Sequence, residues 1–290
     1  MKKAIIFDCD GVLVNSLPAH LDACKYYANL HNIRSASLTP SDMKNTVRAG
    51  HKISPMSEFF RAVGFPKFNI EEAVRWYENS FTNLFKVPMF PGADQLLHHI
   101  KVPKDVYLAL VTSNTMRNVS DALGENILLF DALVTKDKML VRGNLTDITV
   151  PANKALALLA VTAYLEVDPD NSLYVGDMQS DLDASKKAGV PFLGVGWGWG
   201  FSDKDDDPPR LLVAHDMEHA AHIIMRFMRP EKPPSLLVKN SFQDLTPSFN
   251  FAKKEMLSYK YAVEMMKQKV ISSLKIPADM LRVKSEPPTS

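Results

Sequence analysis

The chain has 290 residues, of which 46% are hydrophobic and 23% are charged, and its formal net charge is +1. It is long enough to bury a full core and longer than one average domain, and its composition is ordinary for a globular protein. A charge this close to zero gives no sign of a nucleic-acid partner, and no uninterrupted apolar stretch reaches the length of a membrane span. The two cysteines form neither a metal-ligand spacing nor a disulfide framework, so we expect a cytoplasmic protein.

The start of the chain carries two closely spaced carboxylates. A short apolar run, residues 4–7, leads into Asp8, Cys9 and Asp10 and is closed by Gly11. An apolar run of this length predicts a buried strand. If the strand stayed extended, Asp8 and Asp10 would share one face, and their repulsion would raise the pKa of one of them. Such a pair calls for a cation or a catalytic role; a solvated acidic turn is the alternative.

The next segment, residues 15–89, loses the strand character. Helical spacing of apolar residues extends over 18–30 and 71–85, and Ser41 and Pro55 each open a shorter predicted helix. A turn rich in proline and glycine closes the segment. We therefore interpret residues 15–89 as a helical insert.

From residue 90 onward, short apolar runs alternate with helical patterns. Strands are predicted at 106–111, 132–134, 173–175 and 192–195, and helices at 92–100, 153–165 and 180–188. This alternation predicts an α/β fold with a doubly wound parallel sheet that helices cover on both faces. Ligands of such sheets bind at the carboxyl ends of the strands, where Asp8, Thr112 and Asp177 are placed.

The C-terminal part, residues 229–290, differs in composition from the rest. Residues 229–248 are rich in Pro, Ser and Lys and are typical of a linker. Residues 250–275 form a helix candidate with six lysines against two glutamates. This helix either docks on its own chain or on a second copy, or it is a basic helix that binds a partner or a membrane surface.

A second acidic cluster follows the predicted strand at 173–175. Asp177 ends that strand, and Asp181 lies four residues later at a helix start, so both can face the same crevice. Together with Asp8 and Asp10 they make four carboxylates, which would cost several kcal/mol to pack without a counter-ion. An all-oxygen ligand set beside a phosphate favours Mg²⁺.

Two further features suit the binding of an anion. Thr112 is followed by the backbone amides of Ser113 and Asn114, and this group is placed to hydrogen-bond an anionic oxygen; an ordinary turn threonine is the alternative. Lys154 lies at the start of a predicted helix, where its charge opposes the helix dipole by a few tenths of a kcal/mol. That small penalty indicates a role beyond solubility, whereas Lys136 and Lys138 are interpreted as solvated.

As an ordered set, these motifs resemble the four motifs of the haloacid dehalogenase superfamily. They are the run Asp8-Cys9-Asp10-Gly11-Val12-Leu13, the apolar strand ending in Thr112, Lys154, and Gly176-Asp177 with Asp181. The insert is similar to the mobile helical cap, of the C1 type, found in the phosphoglycolate phosphatase and β-phosphoglucomutase branch. The resemblance implies a Rossmann-like core at 1–14 and 90–228 and a cap at 15–89, while 229–290 has no counterpart.

The resemblance also implies an activity, namely a magnesium-dependent phosphatase acting on a small phosphorylated metabolite through an aspartyl-phosphate. Asp8 is then the nucleophile, and Asp10 is the general acid and base. Thr112 and Lys154 hold the transferring phosphoryl oxygens. The implied magnesium ligands are Asp8, the Asp10 carbonyl oxygen and Asp177, with Asp181 in support.

The predicted cap carries a basic cluster that resembles the branch's substrate-specificity loop. Its candidate substrate-binding residues are Arg48, His51 and Lys52, and a solvated basic turn is the alternative. A phosphosugar mutase of the β-phosphoglucomutase type would use the same core residues, but Ile53 falls near the position where that enzyme carries an arginine. A non-catalytic protein that binds a partner through its C-terminal helix is the alternative from another class.

Overall fold

The computed structural model describes residues 1–34, 38–141, 144–146, 153–202 and 211–228. The predicted linker and helix at 229–290 lie outside the described residues. The strands are β1 (Lys3–Phe7), β2 (Val106–Val111), β3 (Ala132–Val134), β4 (Met139–Val141), β5 (Asn144–Thr146), β6 (Ser172–Gly176), β7 (Phe192–Val195) and β8 (Val213–Ala214). The helices are α1 (Leu17–Leu30), α2 (Pro40–Arg48), α3 (Met56–Ala62), α4 (Lys67–Leu84), α5 (Ala93–Ile100), α6 (Met116–Leu123), α7 (Lys154–Leu165), α8 (Gln179–Ala188) and α9 (Met217–Met228).

All eight described strands form one sheet in the order β5-β4-β3-β2-β1-β6-β7-β8. Six of them run parallel to one another, namely β3, β2, β1, β6, β7 and β8. The other two, β4 and β5, add an antiparallel hairpin at one edge. The first strand is central, with Phe7 opposite Leu110 of β2 and Val175 of β6. The carboxyl ends of β1, β2 and β6 therefore meet at one edge of the sheet.

Helices cover both faces of the sheet, as the run of apolar residues in β1 requires. Ile5 and Phe7 point into a cluster with α5 and α9, whereas Ala4 and Ile6 point into a cluster with α7 and α8. Full burial of such side chains contributes about 1.5–3 kcal/mol for each large one. The predicted doubly wound, Rossmann-like α/β fold is confirmed.

Helices α1 to α4 have a hydrophobic cluster of their own. Tyr27, Met43, Phe60 and Phe81 are among its buried members. Thr39 begins α2 with a capping box, in which its hydroxyl oxygen accepts the Asp42 N–H and the Asp42 carboxylate accepts the Thr39 N–H. We call α1 to α4, residues 17–84, the helical segment.

The sequence pattern does not predict several strands of the sheet and several helices that pack on it. The hairpin β4–β5, the short strand β8 and the helices α6 and α9 were not among the predicted elements. Three-residue and two-residue strands are too short to show a period, so they carry no signal that a pattern could reveal. Within the described ranges, no helix has the length and apolar content needed to cross a membrane.

Candidate active site

Asp8 lies immediately beyond the central strand. Its backbone N–H donates to the Val175 carbonyl of β6 at 2.9 Å, which continues the parallel ladder by one residue. Asp8 is only 5% exposed, and its Oδ1 accepts the N–H of Cys9 at 2.8 Å. The sheet therefore delivers this carboxylate to a fixed, buried position at its carboxyl edge.

Lys154 connects Asp8 to a second carboxylate. Its Nζ lies 2.7 Å from Asp8 Oδ2 and 2.6 Å from Asp181 Oδ1. The lysine is the first residue of α7, and Asn153 caps that helix by accepting the Ala155 N–H at 2.9 Å. Burial alone would lower the pKa of Lys154, but the carboxylates of Asp181 and Asp8 raise it well above its usual value. The ammonium group is thus held in its charged form.

Asp181 is fully buried and has donors on both of its oxygens. Besides Lys154, the Tyr174 hydroxyl donates to Oδ1 at 3.1 Å and the Met178 N–H donates to Oδ2 at 3.1 Å. These three donors fix the orientation of the carboxylate, and Asp181 is thereby placed to orient Lys154. Tyr174 was missed by the sequence reasoning because, inside a strand of apolar residues, a tyrosine is indistinguishable from a core side chain.

Asp177 differs from Asp181 in having one carboxylate oxygen without a partner. Its Oδ2 accepts the Trp199 N–H at 2.7 Å, while its buried Oδ1 has no hydrogen bond within the part of the chain that the structure describes. One oxygen each from Asp8, Asp177 and Asp181 lies within 4.8 Å of the others. An unpartnered buried oxygen is costly, and a hard divalent cation such as Mg²⁺ fits this all-oxygen donor set.

Electrostatics point to the same requirement. Burial raises the pKa of Asp8 to about 7, against the opposing charge of Lys154. Burial, together with the charges of Asp181 and Asp8, raises the pKa of Asp177 well above its usual value. One ammonium group does not offset this crowding of carboxylates, so a bound cation would stabilise their ionised forms.

Asp10 lies outside the strand, beside a turn at Gly11, whose φ is +76°. Asn114, which follows β2, donates its side-chain Nδ2–H to Asp10 Oδ2 at 2.9 Å. The Nε2 atom of His20 lies 3.9 Å from Asp10 Oδ1. Burial would raise the pKa of Asp10, but His20, Ser16 and Asn114 together lower it. In this state the ionised form of Asp10 is favoured.

His20 is a site residue that the sequence reasoning missed. It lies on α1, is 6% exposed, and its Nδ1 lies 2.8 Å from the hydroxyl oxygen of Tyr77 on α4. The rings of Phe81 and Trp199 pack against it at centroid distances of 5.0 and 5.6 Å. A lone histidine in an amphipathic helix carries no signal, because its contact with Asp10 depends on how α1 packs against the sheet.

The predicted phosphate-binding group is partly assembled. Thr112 is 6% exposed at the end of β2, and its Oγ1 accepts the Asn114 N–H at 3.1 Å. Ser113 is exposed. The Asn114 backbone amide, which the sequence indicated for an anion, thus bonds to Thr112 here, and the Asn114 side chain bonds to Asp10.

The predicted substrate-binding residues of the insert lie at the end of α2, which is Arg48, and just after it. His51 and Lys52 are exposed. Arg48 extends instead to the main chain that follows β7, where its Nε and Nη2 donate to the carbonyl oxygens of Gly200 and Phe201 at 3.1 and 2.9 Å. Whether these side chains contact a substrate stays a prediction.

With this geometry in place, comparison with known proteins decides the family. The profile of the haloacid dehalogenase-like hydrolases matches residues 5–195, which include every core motif described above. The chain belongs to this family.

Curated relatives within the haloacid dehalogenase-like hydrolases are similar over most of the chain. A phosphoglycolate phosphatase of Xylella fastidiosa is 25% identical over 233 residues, which cover 77% of this chain and 92% of the relative. A protein of Clostridium perfringens named as a pyrophosphatase is 28% identical over 200 residues, covering 67% of this chain and 84% of the relative. Both names describe proteins that act on phosphate groups.

A solved structure supports the fold. A haloacid dehalogenase-like family protein of Streptococcus pneumoniae superposes with a TM-score of 0.58 at 21% identity, and the match covers 79% of this chain and 99% of that protein. At this identity the likeness concerns the fold.

Proposed function

We propose that this haloacid dehalogenase-like hydrolase is a magnesium-dependent phosphatase that hydrolyses a small phosphomonoester through an aspartyl-phosphate. The observation that carries the proposal is Lys154, whose ammonium group lies 2.7 Å from Asp8 and 2.6 Å from Asp181 at the carboxyl edge of the sheet. A buried carboxylate beside a fixed cation suits a nucleophile that must meet an anionic phosphoryl group. The names of the curated relatives support the same reaction class.

The residues that would hold Mg²⁺ are Asp8, the Asp10 carbonyl oxygen and Asp177. The unpartnered Oδ1 of Asp177 supports this assignment, since it is the one oxygen of that carboxylate not held by a backbone donor. Asp181 serves by orienting Lys154. When bound, the metal ion offsets the negative charge of the carboxylates and of the phosphoryl oxygens.

In the first step, a carboxylate oxygen of Asp8 attacks the phosphorus atom and the bond from phosphorus to the leaving oxygen breaks. The negative charge of the bound phosphate favours the protonated form of Asp10, against the groups that lower its pKa in the free site. Asp10 then gives its proton to that oxygen, so the product leaves as a neutral alcohol. Lys154 and Thr112 donate hydrogen bonds to the phosphoryl oxygens. Their fixed positions stabilise charge without reorganisation during the transfer.

In the second step, a water molecule attacks the phosphorus atom of the aspartyl-phosphate. Asp10, now ionised, accepts a proton from that water, and the acyl phosphate bond breaks to release inorganic phosphate and restore Asp8. The lowered pKa of Asp10, to which His20 and Asn114 contribute, favours this base form. The two steps return both aspartates to their starting states.

Substrate choice is assigned to the helical part of the chain. We propose that residues 15–89 form a cap over a core of 1–14 and 90–228, and that exposed His51 and Lys52 meet the leaving group. Lys52→Ala should then raise KM for the natural ester about tenfold, while KM for p-nitrophenyl phosphate stays unchanged. Equal changes on both esters would reject this role for Lys52.

The test of the activity itself is a screen of phosphomonoesters with purified protein and Mg²⁺. We expect turnover that EDTA abolishes and added Mg²⁺ restores, and an Asp177→Ala variant that is nearly inactive at the same metal concentration. Ca²⁺ should inhibit, because its larger and looser coordination shell misplaces nucleophile and phosphate. Full activity in EDTA would contradict the proposal.

The two free cysteines bear on where this reaction takes place. Cys9 and Cys24 are both buried and unpaired, which fits a reducing compartment. We therefore propose a cytoplasmic location, and fractionation of cells that express the protein would test it.

A further inference from the structure

The segment after β7 wraps around Asp177. We call residues 196–201 the tryptophan loop, since it contains Trp197 and Trp199. The Trp199 N–H donates to Asp177 Oδ2 at 2.7 Å, and the N–H groups of Gly200 and Phe201 donate to the Asp177 carbonyl oxygen at 3.2 and 3.0 Å. Three backbone donors of one loop thus hold one residue.

The loop also packs against Asp177 without any slack. A Cβ atom added at Gly198 would lie 2.3 Å from the Asp177 Cβ, and one at Gly200 would lie 2.7 Å from the Asp177 carbonyl oxygen. Contacts this close mean that the loop backbone lies directly against Asp177 with no room for a side chain between them, and moving the loop away would break these hydrogen bonds. The direction of the Asp177 carboxylate is therefore tied to the position of the loop.

Two basic side chains of α2 also hold the loop. Lys44 Nζ donates to the Trp197 carbonyl oxygen at 3.0 Å. Arg48, one turn further along the helix, donates to the carbonyl oxygens of Gly200 and Phe201 at 3.1 and 2.9 Å. Residues four apart lie on one helix face, so α2 presents both cations to the same loop.

The acceptors in these contacts are neutral carbonyl oxygens, which distinguishes them from the ion pairs elsewhere in the helical segment. A hydrogen bond from a charged donor to a neutral acceptor is directional, yet it leaves the positive charge of the donor without a paired negative charge. Burial and the nearby Arg48 lower the pKa of Lys44, while the negative charge of Asp177 opposes that shift. Lys44 thus lies within electrostatic range of the candidate metal ligand.

We propose that Lys44 and Arg48 are positioning residues that hold the tryptophan loop, and through it Asp177, in the geometry that binds the divalent cation. This rests on the metal site of the proposed function. Because coupling between two sites is reciprocal, bound Mg²⁺ in turn strengthens the docking of α2 on the loop. The helical segment thereby acts on metal affinity without supplying a ligand.

The test is a Mg²⁺ titration by calorimetry on Lys44→Met, Arg48→Met and a matched control, Arg75→Met. Arg75 lies on α4 of the same segment and pairs with Glu71, one turn away on the same helix, so its loss removes an equal charge without touching the loop. We expect Mg²⁺ to bind about fivefold more weakly to each of the first two variants, the low end of typical coupling between sites. Arg48→Lys, which keeps a cation able to reach one carbonyl, should fall between wild type and Arg48→Met.

Two further measurements distinguish a positioning role of these residues from an effect on the stability of the fold. Tryptophan fluorescence should change with Mg²⁺ in the wild type, since two of the three tryptophans lie in the loop, and the change should shrink in Arg48→Met. Hydrogen exchange in α2 should slow when Mg²⁺ is added to the wild type, and should slow less in Arg48→Met. Circular dichroism confirms that each variant is folded.

The outcomes distinguish this inference from the proposed function. If the wild type binds no Mg²⁺, the metal site itself is wrong. If the wild type binds Mg²⁺ and both Lys44→Met and Arg48→Met match Arg75→Met in affinity, the site stands and the positioning role is rejected. Weaker binding in both variants, with partial recovery in Arg48→Lys, supports the role.

Discussion

The carboxyl edge of the sheet and the helical segment that faces it are held by different kinds of interaction. At the sheet edge, Asp8 and Asp181 are buried and both pair with Lys154, whose side chain is 19% exposed, so the charges are held before any substrate arrives. The helical segment contributes aromatic rings and cations such as Arg48, whose partners are main-chain carbonyl oxygens. The first arrangement suits chemistry, which needs preorganised charge, and the second suits a surface that docks and adjusts.

The difference has an energetic side as well. Removing one partner of a buried charge pair leaves the other uncompensated and costs about 3–5 kcal/mol, whereas exposed pairs contribute about 0–1 kcal/mol. The loss of stability or activity caused by a substitution should therefore be largest at the sheet edge and smallest at the surface of the helical segment. The following experiments probe that order.

The largest loss is expected at the nucleophile. Asp8→Asn replaces the carboxylate with an amide that cannot form the aspartyl-phosphate, so kcat should fall about 10⁴-fold or more. The fold should survive, because an amide is less costly to bury than a carboxylate. Turnover of p-nitrophenyl phosphate measures kcat, and circular dichroism checks the fold. Substantial hydrolysis by a folded variant would show that Asp8 is not the nucleophile.

Lys154→Met should damage activity and stability together. The variant loses a donor to the phosphoryl group, worth about 10²–10³ in kcat. It also leaves Asp8 and Asp181 buried without their cation, which should lower the free energy of unfolding by about 3–5 kcal/mol. Urea denaturation in EDTA gives the stability change; a change below about 1 kcal/mol would show that the pair is weaker than its burial indicates.

His20→Asn tests the contact between His20 of α1 and Asp10. Because His20 contributes to lowering the pKa of Asp10, its loss should raise that pKa and move the acid limb of the kcat profile to higher pH. The contact is 3.9 Å long, so we expect only about a three- to tenfold loss in kcat at neutral pH.

Tyr77→Phe is the companion variant, since it removes the hydroxyl near His20 Nδ1 and keeps the ring. It should show a smaller shift in the same direction. An unchanged pH profile in His20→Asn would show that the histidine does not influence Asp10 during the reaction.

The smallest effect is expected at Lys136. It pairs with Glu78 at 3.1 Å, and both side chains are about half exposed. Lys136→Met should change the free energy of unfolding by less than about 0.5 kcal/mol and kcat by less than about twofold. A loss comparable with that of Lys154→Met would mean that Lys136 also takes part in the reaction.

The two regions also differ in how far the sequence predicts them. Strands at 106–111, 132–134 and 192–195 have the bounds that the pattern predicts, because buried parallel strands are continuous apolar runs. The carboxylates follow from the same logic, since residues after such strands meet at one edge of the sheet. The hairpin β4–β5 and strand β8 escape prediction because two or three residues show no period.

The contributions of the helical segment depend on packing between distant parts of the chain. Arg48 is visible in the sequence as a basic residue, yet its acceptors are carbonyl oxygens, which every residue has and no pattern marks. His20 and Tyr77 are 57 positions apart and meet only when α1 packs on α4. Sequence reasoning thus identifies charged motifs at strand ends and misses partners that are defined by shape.

The close packing around Asp177 has a consequence for mutational tolerance. A Cβ atom at Gly11 would lie 2.1 Å from Asp177 Oδ2, and one at Gly198 would lie 2.5 Å from the same oxygen. Neither glycine carries a functional group, but any larger residue at either position would displace the carboxylate. In a saturation mutagenesis screen for phosphatase activity, Gly11 and Gly198 should tolerate as few substitutions as Asp177, although 187 positions separate them.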